Sequence, residues 1–400
     1  MLVRSYSTSR LYRRVLAPVL SRLLWRSLFD VDATARRAML RVGLGRALRC
    51  LPMWIKRLRL GVRLPVTLSV VDDIGCKAGC DHCVFNAFSV RGPGLALADL
   101  DRLFDQALGL NVTTVYLIGA DPFYRDNADA YLDLLASKRW QTFMLFTEGR
   151  RLDDRHVERI RRAGNIVPVL NIDGLQAQSD RRKGAGAFAD VQALMDKLRA
   201  RRMPFLVTTM VSRANRDEVT SVEYARWLED HGAWMLAYVP YTPVDRKAEA
   251  GLELDSSDRE RLFARATELN SEVKRLVVLD LLGIEQHLTS CPAGVYGVTV
   301  YHDGTVTPCP AAQFGRRDAN VLTRSLEDIF VHDPLYVAMR SLHGRAKPVH
   351  CLFYTNPEFF RAYLHDHHAE MRVLNPAVLA HLGVEEPAPP ERPARLDVRP

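Results

Sequence analysis

Between residues 66 and 239 the chain alternates short apolar runs with longer amphipathic stretches, and this limits the fold more than any other feature. The apolar runs lie near 66–72, 112–118, 141–147, 166–172, 204–211 and 234–239. Helical stretches fall between them, near 97–109, 127–138, 153–163, 187–201 and 216–231. Strand and helix in strict turn, joined by short links, imply parallel strands with right-handed crossovers. In a sheet or barrel built this way, chemistry belongs at the C-terminal ends of the strands. Those ends are therefore where candidate functional residues are sought.

The first apolar run, Val66-Thr67-Leu68-Ser69-Val70-Val71, leads directly into Cys76-Lys77-Ala78-Gly79-Cys80-Asp81-His82-Cys83. Three thiols spaced C-x3-C-x2-C in one loop select a soft metal, with zinc and iron–sulfur clusters as candidates. Structural zinc takes four protein ligands, usually as two separated pairs. Three thiolates instead suit a 4Fe–4S cluster with one iron left for another ligand.

The spacing, with His82 just before the third cysteine, resembles the radical S-adenosylmethionine (SAM) superfamily. The resemblance implies a partial TIM barrel of six βα units. It also implies a 4Fe–4S cluster on Cys76, Cys80 and Cys83, with SAM bound at the open iron. Reductive cleavage of SAM would then give a 5′-deoxyadenosyl radical that abstracts hydrogen from a substrate. Further segments at strand ends are similar to those of the family. Gly119-Ala120-Asp121-Pro122 resembles its Gly-Gly-Glu-Pro, which holds the amino group of SAM, with an alanine and a shorter acid as departures. Thr147-Glu148-Gly149 resembles Thr-Asn-Gly and reads first as turn chemistry. Asn171-Ile172-Asp173-Gly174 resembles Ser-Ile-Asp-Gly and makes Asn171 a SAM contact. Counting back from Phe188 makes Arg182 a partner for the carboxylate of SAM, a role its planar fork suits. Tyr238 stands where family members contact adenine, although it and Tyr241 equally suit the substrate cavity or the core. Asn215 reads as a helix N-cap. The expected SAM contacts are thus His82, Gly119, Ala120, Asp121, Asn171, Arg182 and Tyr238.

Farther on, residues 255–288 look helical. Cys291 is then followed by alternating Val295, Gly297, Thr299 and Tyr301, an Asp303-Gly304 turn, and Thr305 to Cys309, which together read as a hairpin. With the Ser325-Leu326-Glu327-Asp328-Ile329 segment and Cys351, it resembles the auxiliary-cluster appendage called SPASM or, when shorter, twitch. The resemblance implies a second 4Fe–4S cluster on Cys291, Cys309 and Cys351. The family usually has a C-x2-C pair where this chain has Cys351-Leu352-Phe353-Tyr354, so the fourth ligand stays open, as does a role for one of the three as a free thiol.

Charge divides the chain. Residues 1–63 carry 15 Lys and Arg against Asp30 and Asp32, while the whole chain is only +8, so the basic excess lies in this arm. Leu11, Val15, Leu16, Val19, Leu20, Leu23 and Leu24 recur at helical spacing, and Ala33 to Leu60 adds Met39, Leu40, Leu44, Leu48, Met53, Trp54 and Ile55. Basic amphipathic helices of this kind read as membrane-surface segments. Two other readings stand beside that one: helices packed on the barrel with solvated arginines, and an Arg-rich transit segment. No recognised nucleic-acid motif accompanies the charge. Seven cysteines, three of them clustered, argue for a reducing compartment over a disulfide framework.

The expectation is an α/β protein: a partial (β/α)6 TIM barrel with a small C-terminal hairpin-plus-helix cluster-binding domain and an N-terminal helical arm. The divisions are 1–63 basic arm, 64–250 radical SAM core, 251–383 SPASM/twitch-like domain and 384–400 disordered tail. The expected activity is radical SAM chemistry on a small-molecule or lipid-like substrate, with a flavodoxin- or ferredoxin-type electron donor. The expected location is cytoplasmic, with the arm touching the inner face of the membrane. The alternatives are a radical SAM maturase of a ribosomally made peptide and, in a different class, a non-catalytic zinc-stabilised binding protein.

Overall fold

A computed structural model describes residues 17–72, 76, 79–88, 94–245, 247–281, 293–342 and 356–384. Cys291, Cys351 and nearly all of the expected tail lie outside the described residues. Six parallel strands run in sequence order, each hydrogen-bonded to the next: β1 (Thr67–Val71), β2 (Thr114–Ile118), β3 (Thr142–Thr147), β4 (Ile166–Asn171), β5 (Leu206–Val211) and β6 (Met235–Pro240). The crossovers carry α3 (Leu97–Gly109), α4 (Ala128–Ser137), α5 (Asp154–Ala163), α6 (Gln176–Lys183), α7 (Ala187–Ala200), α8 (Arg216–Val219) and α9 (Val222–Asp230). The expected α/β class and parallel sheet are present, with strand ends within two residues of the sequence reading.

Local chemistry explains these elements. In α3, Leu100, Leu103, Phe104 and Ala107 recur at one-face spacing and are buried against the sheet. β4 is buried along all but its last residue, as a strand covered on both faces requires. α5 begins at Asp153, whose carboxylate accepts from the His156 N–H at 2.8 Å, and ends at Gly164 in the left-handed conformation.

Three segments differ from the sequence reading. The helix expected over 216–231 breaks at Thr220, because Ser221 caps α9 by accepting from the Tyr224 N–H. Residues 176–183, with no apolar periodicity, form α6. The helix expected over 255–288 also ends early: α10 (Ser256–Glu272) gives way to β7 (Val277–Asp280), which pairs parallel with β6. Asn270 enforces the change. Its carboxamide donates to the Val278 carbonyl (2.6 Å) and accepts from the Val278 N–H (3.0 Å), tying the helix end to the strand.

The hairpin is present as β8 (Gly297–Tyr301) and β9 (Val306–Thr307), with Gly304 at its turn in the left-handed region (φ +85°). β8 pairs parallel with β1, so one nine-stranded sheet runs β7-β6-β5-β4-β3-β2-β1-β8-β9. The expected Ser-Leu helix is α11 (Leu326–His332), capped by Ser325 on the Asp328 N–H. With α12 (Pro334–Leu342), α13 (Pro357–Asp366) and α14 (Pro376–Leu382), and a small sheet of β10 (Phe314–Arg316) and β11 (Met371–Val373), a second apolar core forms around Phe314, Leu335, Met339, Phe360 and Leu379.

The N-terminal helices α1 (Ala17–Phe29) and α2 (Ala33–Leu60) cross beneath the N-terminal ends of the strands. Arg26 donates to the Ala233 carbonyl (2.7 Å) and the Gly232 carbonyl (3.2 Å) ahead of β6, and Arg22 donates to Leu276 O (3.1 Å) ahead of β7. Arg26 is buried, so the solvated-arginine reading does not hold for it. α2 then passes Gly164 ahead of β4, where an added Cβ would sit 2.9 Å from the Thr34 carbonyl. Its Arg41 donates to Arg139 O (3.0 Å) ahead of β3, and Lys56 pairs with Glu327.

Candidate radical SAM site

The cysteine loop follows β1 at the C-terminal end of the sheet. Cys76, Cys80 and Cys83 are half-buried. Burial pushes the Cys80 thiol up to about 11, opposed by the nearby positive charges of Lys183 and Arg182. Such cations favour the anionic thiolate form that metal ligation requires.

α6 clasps this loop. The Asp81 N–H donates to Arg182 O (2.9 Å), and Arg182 Nε returns a bond to Asp81 O (3.1 Å). The rest of the guanidinium pairs with Asp173 and donates to Asn171 Oδ1 (3.0 Å). Asp173 accepts from the Met210 N–H (2.8 Å) and faces Lys183 Nζ at 3.5 Å. Burial alone would raise this carboxyl, but Arg182 and Lys183 together hold it below its ordinary value. Asn171 also donates to Thr208 O (3.2 Å). Asn215 fastens the same corner: its carboxamide donates to Asp173 O and Met210 O, both at 2.8 Å, and accepts from the Ser212 N–H. Asn215 stands at the N-cap position of α8, yet its side chain makes no capping bond there. The ends of β4 and β5 are thus wired through Asp173 and Arg182 into the thiol loop.

The opposite side of the loop meets the chain beyond β6. His82, in the left-handed region at φ +57°, places its ring edge-on to Tyr241 with centroids 5.4 Å apart. Its Nδ1 lies 3.5 Å from Asp245 and its Nε2 3.8 Å from Glu249. Tyr241 donates to Asp245 Oδ2 (2.8 Å), and Lys247 pairs with Asp81.

Gly119 lies at φ +111°, the conformation its lack of a side chain permits, and Ala120 beside it is buried. Besides Arg182, whose guanidinium is taken by Asp81, Asn171 and Asp173, two more expected SAM contacts have other work. Asp121 is buried with its carboxylate saturated: it accepts from Phe123 N–H (3.0 Å), Thr147 Oγ1 (2.7 Å) and Glu148 N–H (2.8 Å). The shorter acid has folded back to join the ends of β2 and β3. Tyr238 is the clear correction. It points to the helix side of the sheet, fully buried in the main core, and its hydroxyl donates to Val219 O (2.7 Å). One residue along a strand reverses the side-chain direction, and the tyrosine that faces the loop is Tyr241.

Glu148, read from sequence only as part of a turn, emerges instead. Its Oε1 accepts from the Tyr124 hydroxyl, whose titration burial and this contact push up to about 12. Its Oε2 is buried with no hydrogen-bond partner among the described residues. The negative charge of Glu148 adds slightly to the upward push on the Cys80 thiol. An acid at the C-terminal end of β3 was the available signal. Among the described residues no group of three or more His, Cys, Asp and Glu side chains is gathered closely enough to hold a metal ion, the three thiols included, so their assignment rests on their spacing and type.

In the hairpin region only Cys309 of the three expected auxiliary ligands is described; it is half-buried. Cys309 and Val84, the residue after Cys83, both pack on the second apolar core.

Three thiols at this spacing in one clasped loop, with cations behind them, and a buried carboxylate oxygen without a donor are the donor types that an iron–sulfur cluster and a bound ammonium take. Residues 74–224 match the family model described as the radical SAM superfamily. This segment is a radical SAM domain. Proteins with this domain use a 4Fe–4S cluster and SAM, the cofactors expected from the cysteine spacing. Among curated relatives, the sporulation killing factor maturation protein SkfB of Bacillus subtilis is 26% identical over 250 residues, covering 62% of this chain and 60% of SkfB. The AdoMet-dependent heme synthase of Methanosarcina barkeri is 29% identical over 209 residues, covering 50% of this chain and 57% of that protein. The chain therefore spans less than two thirds of the length of these relatives. In fold, it is similar to SuiB of Streptococcus suis bound to S-adenosylmethionine, with a TM-score of 0.63, 17% identity, and coverage of 72% of this chain and 71% of SuiB. SuiB is also known bound to the precursor peptide SuiA.

Proposed function

We propose that this radical SAM protein is a maturase of a ribosomally made peptide. This replaces the small-molecule or lipid-like substrate as the leading reading. Two observations support it: one relative is named a maturation protein, and the fold neighbour SuiB has been captured with a precursor peptide. The heme synthase among the relatives keeps a small-molecule substrate as the second reading.

The observation that carries the chemistry is the clasped three-thiol loop at the C-terminal end of β1, with a buried carboxylate oxygen lacking a donor at the end of β3 in the same sheet. Cys76, Cys80 and Cys83 would hold the cluster. The cluster with SAM supplies a 5′-deoxyadenosyl radical on one-electron reduction by a flavodoxin- or ferredoxin-type donor. Arg182 positions the loop, since its guanidinium is committed to Asp173, Asn171 and Asp81. Glu148 Oε2, rather than Asp121, is the carboxylate oxygen free to take the ammonium of SAM. His82 and Tyr241 form the facing wall. Cys291, Cys309 and Cys351 are assigned to an auxiliary cluster, which predicts about eight irons per chain against about four for one cluster.

The test uses the reconstituted full-length chain with SAM, a reductant and synthetic peptides encoded by short reading frames next to its gene. The expected result is peptide-stimulated release of 5′-deoxyadenosine with a change in intact peptide mass. Stimulation by a small-molecule or lipid extract alone would overturn the peptide reading.

A further inference from the structure

The helix α2 carries a second apolar stripe that the body of the protein does not use. Its inward face is Ala35, Ala38, Val42 and Gly45, which are buried. Leu40, Leu44, Leu48, Leu51, Ile55 and Leu58 recur every three or four residues on roughly the opposite side. Its five leucines are each 58–68% exposed, an unusual amount of contiguous apolar surface on one helix. Trp54 on α2, and Trp25 and Phe29 on α1, are exposed as well. The same helix holds eight Lys and Arg and no acid, with Arg37, Arg46, Arg57 and Arg59 exposed.

We propose that this face docks on an anionic lipid bilayer, with α2 lying in the plane of the headgroups. Charge selects the occupant. A second copy would bring the same exposed arginines up against each other with no acid on the helix to offset them, whereas anionic headgroups neutralise them while the leucines enter the acyl boundary. The helix lies on the membrane and does not cross it; among the described residues, no helix is long and apolar enough to span.

The fold sets the orientation. α1 and α2 contact the residues that precede β3, β4, β6 and β7, beneath the N-terminal ends of a parallel sheet. The thiol loop opens at the opposite ends. A docked molecule therefore turns its site away from the bilayer, and its substrate arrives from the aqueous side. Membrane attachment and a lipid substrate, joined in the sequence reading, come apart.

The experiment is co-sedimentation of the full chain with phosphatidylcholine vesicles with and without about one-third phosphatidylglycerol, at low and high salt. Binding to the anionic vesicles that weakens with salt, and falls about tenfold in Leu48→Glu/Leu51→Glu, is expected. Arg46→Glu/Arg57→Glu, at exposed positions, serves as a second variant should the leucine pair misfold. Three outcomes overturn the proposal: no binding to anionic vesicles, equal binding to neutral ones, or binding unchanged in both variants. A dimer in sedimentation velocity that the leucine variant splits would also overturn it, by assigning the stripe to a second copy.

Discussion

Asp173→Asn removes the one carboxylate that faces two buried cations. Arg182 and Lys183 both reach Asp173, and their side chains are 16% and 5% exposed. Two unit charges about 4 Å apart interact by about 4 kcal/mol at the effective dielectric of a protein site. Removing one partner of a buried pair typically costs about 3–5 kcal/mol, because the other charge stays desolvated. Asparagine keeps an oxygen for the Met210 N–H, so the lower figure, about 3 kcal/mol, is the expectation. That is a large share of the roughly 5–15 kcal/mol that holds a domain together. For a chain of 400 residues, at roughly 2.1 cal/mol/K of unfolding entropy per residue, it corresponds to a fall in melting temperature of about 4 °C. Guanidinium and thermal unfolding of the cluster-free chain measure it. The double variant Asp173→Asn/Arg182→Gln should lose less than the sum of the singles by more than about 1 kcal/mol, since the removed charges face each other. A loss below about 1 kcal/mol in the single variant, or strict additivity in the double, would refute the wiring of the thiol loop through this pair.

Glu148→Gln should weaken SAM binding to the reconstituted protein about ten- to hundredfold, the value of a charge-assisted hydrogen bond, as read by equilibrium dialysis. Asp121→Asn should instead lower thermal stability, since its bonds are internal. Asp258 gives a pH signature: burial pushes it up, but Arg261, Arg213 and Arg216 outweigh burial and hold it below its ordinary value. Its stabilisation is full above the unfolded value of about 3.9 and disappears as pH falls through the folded value. The stability gap between wild type and Asp258→Asn should therefore be constant from pH 7 to about pH 5 and close at lower pH; a gap that widens on acidification would contradict the sign. Gly304→Ala forces a side chain into the left-handed region and against the Asn320 carboxamide. It should cost at least about 1 kcal/mol in denaturant unfolding.

The barrel strands could be read directly because period and composition coincide there: β4 is apolar nearly throughout, and α3 shows one clean face. β7 was hidden because Asn270, which ends α10 and seizes the strand, looks like any helix-surface polar residue. α6 was hidden because it buries almost nothing apolar and is held by ionic and backbone bonds from its C-terminal turn. The thiol loop was legible from spacing alone, whereas the roles around it were not. Asp121 and Glu148 are both acids at strand ends, and only their hydrogen bonds show which one has an oxygen to spare. Tyr238 and Tyr241 differ by three positions, and strand parity, not residue type, decides which faces the loop. In α2 the composition announced an amphipathic helix, but not that its leucine stripe would face outward while smaller residues face the body.

The most direct measurement is anaerobic reconstitution of the full chain with iron and sulfide, followed by reduction in the presence of SAM, beside a Cys80→Ala control. Charge-transfer absorbance near roughly 400 nm from iron–thiolate centres is expected, with release of 5′-deoxyadenosine that the control loses. A colourless, zinc-loaded chain that leaves SAM intact, or a control that cleaves SAM as well as wild type, would contradict it.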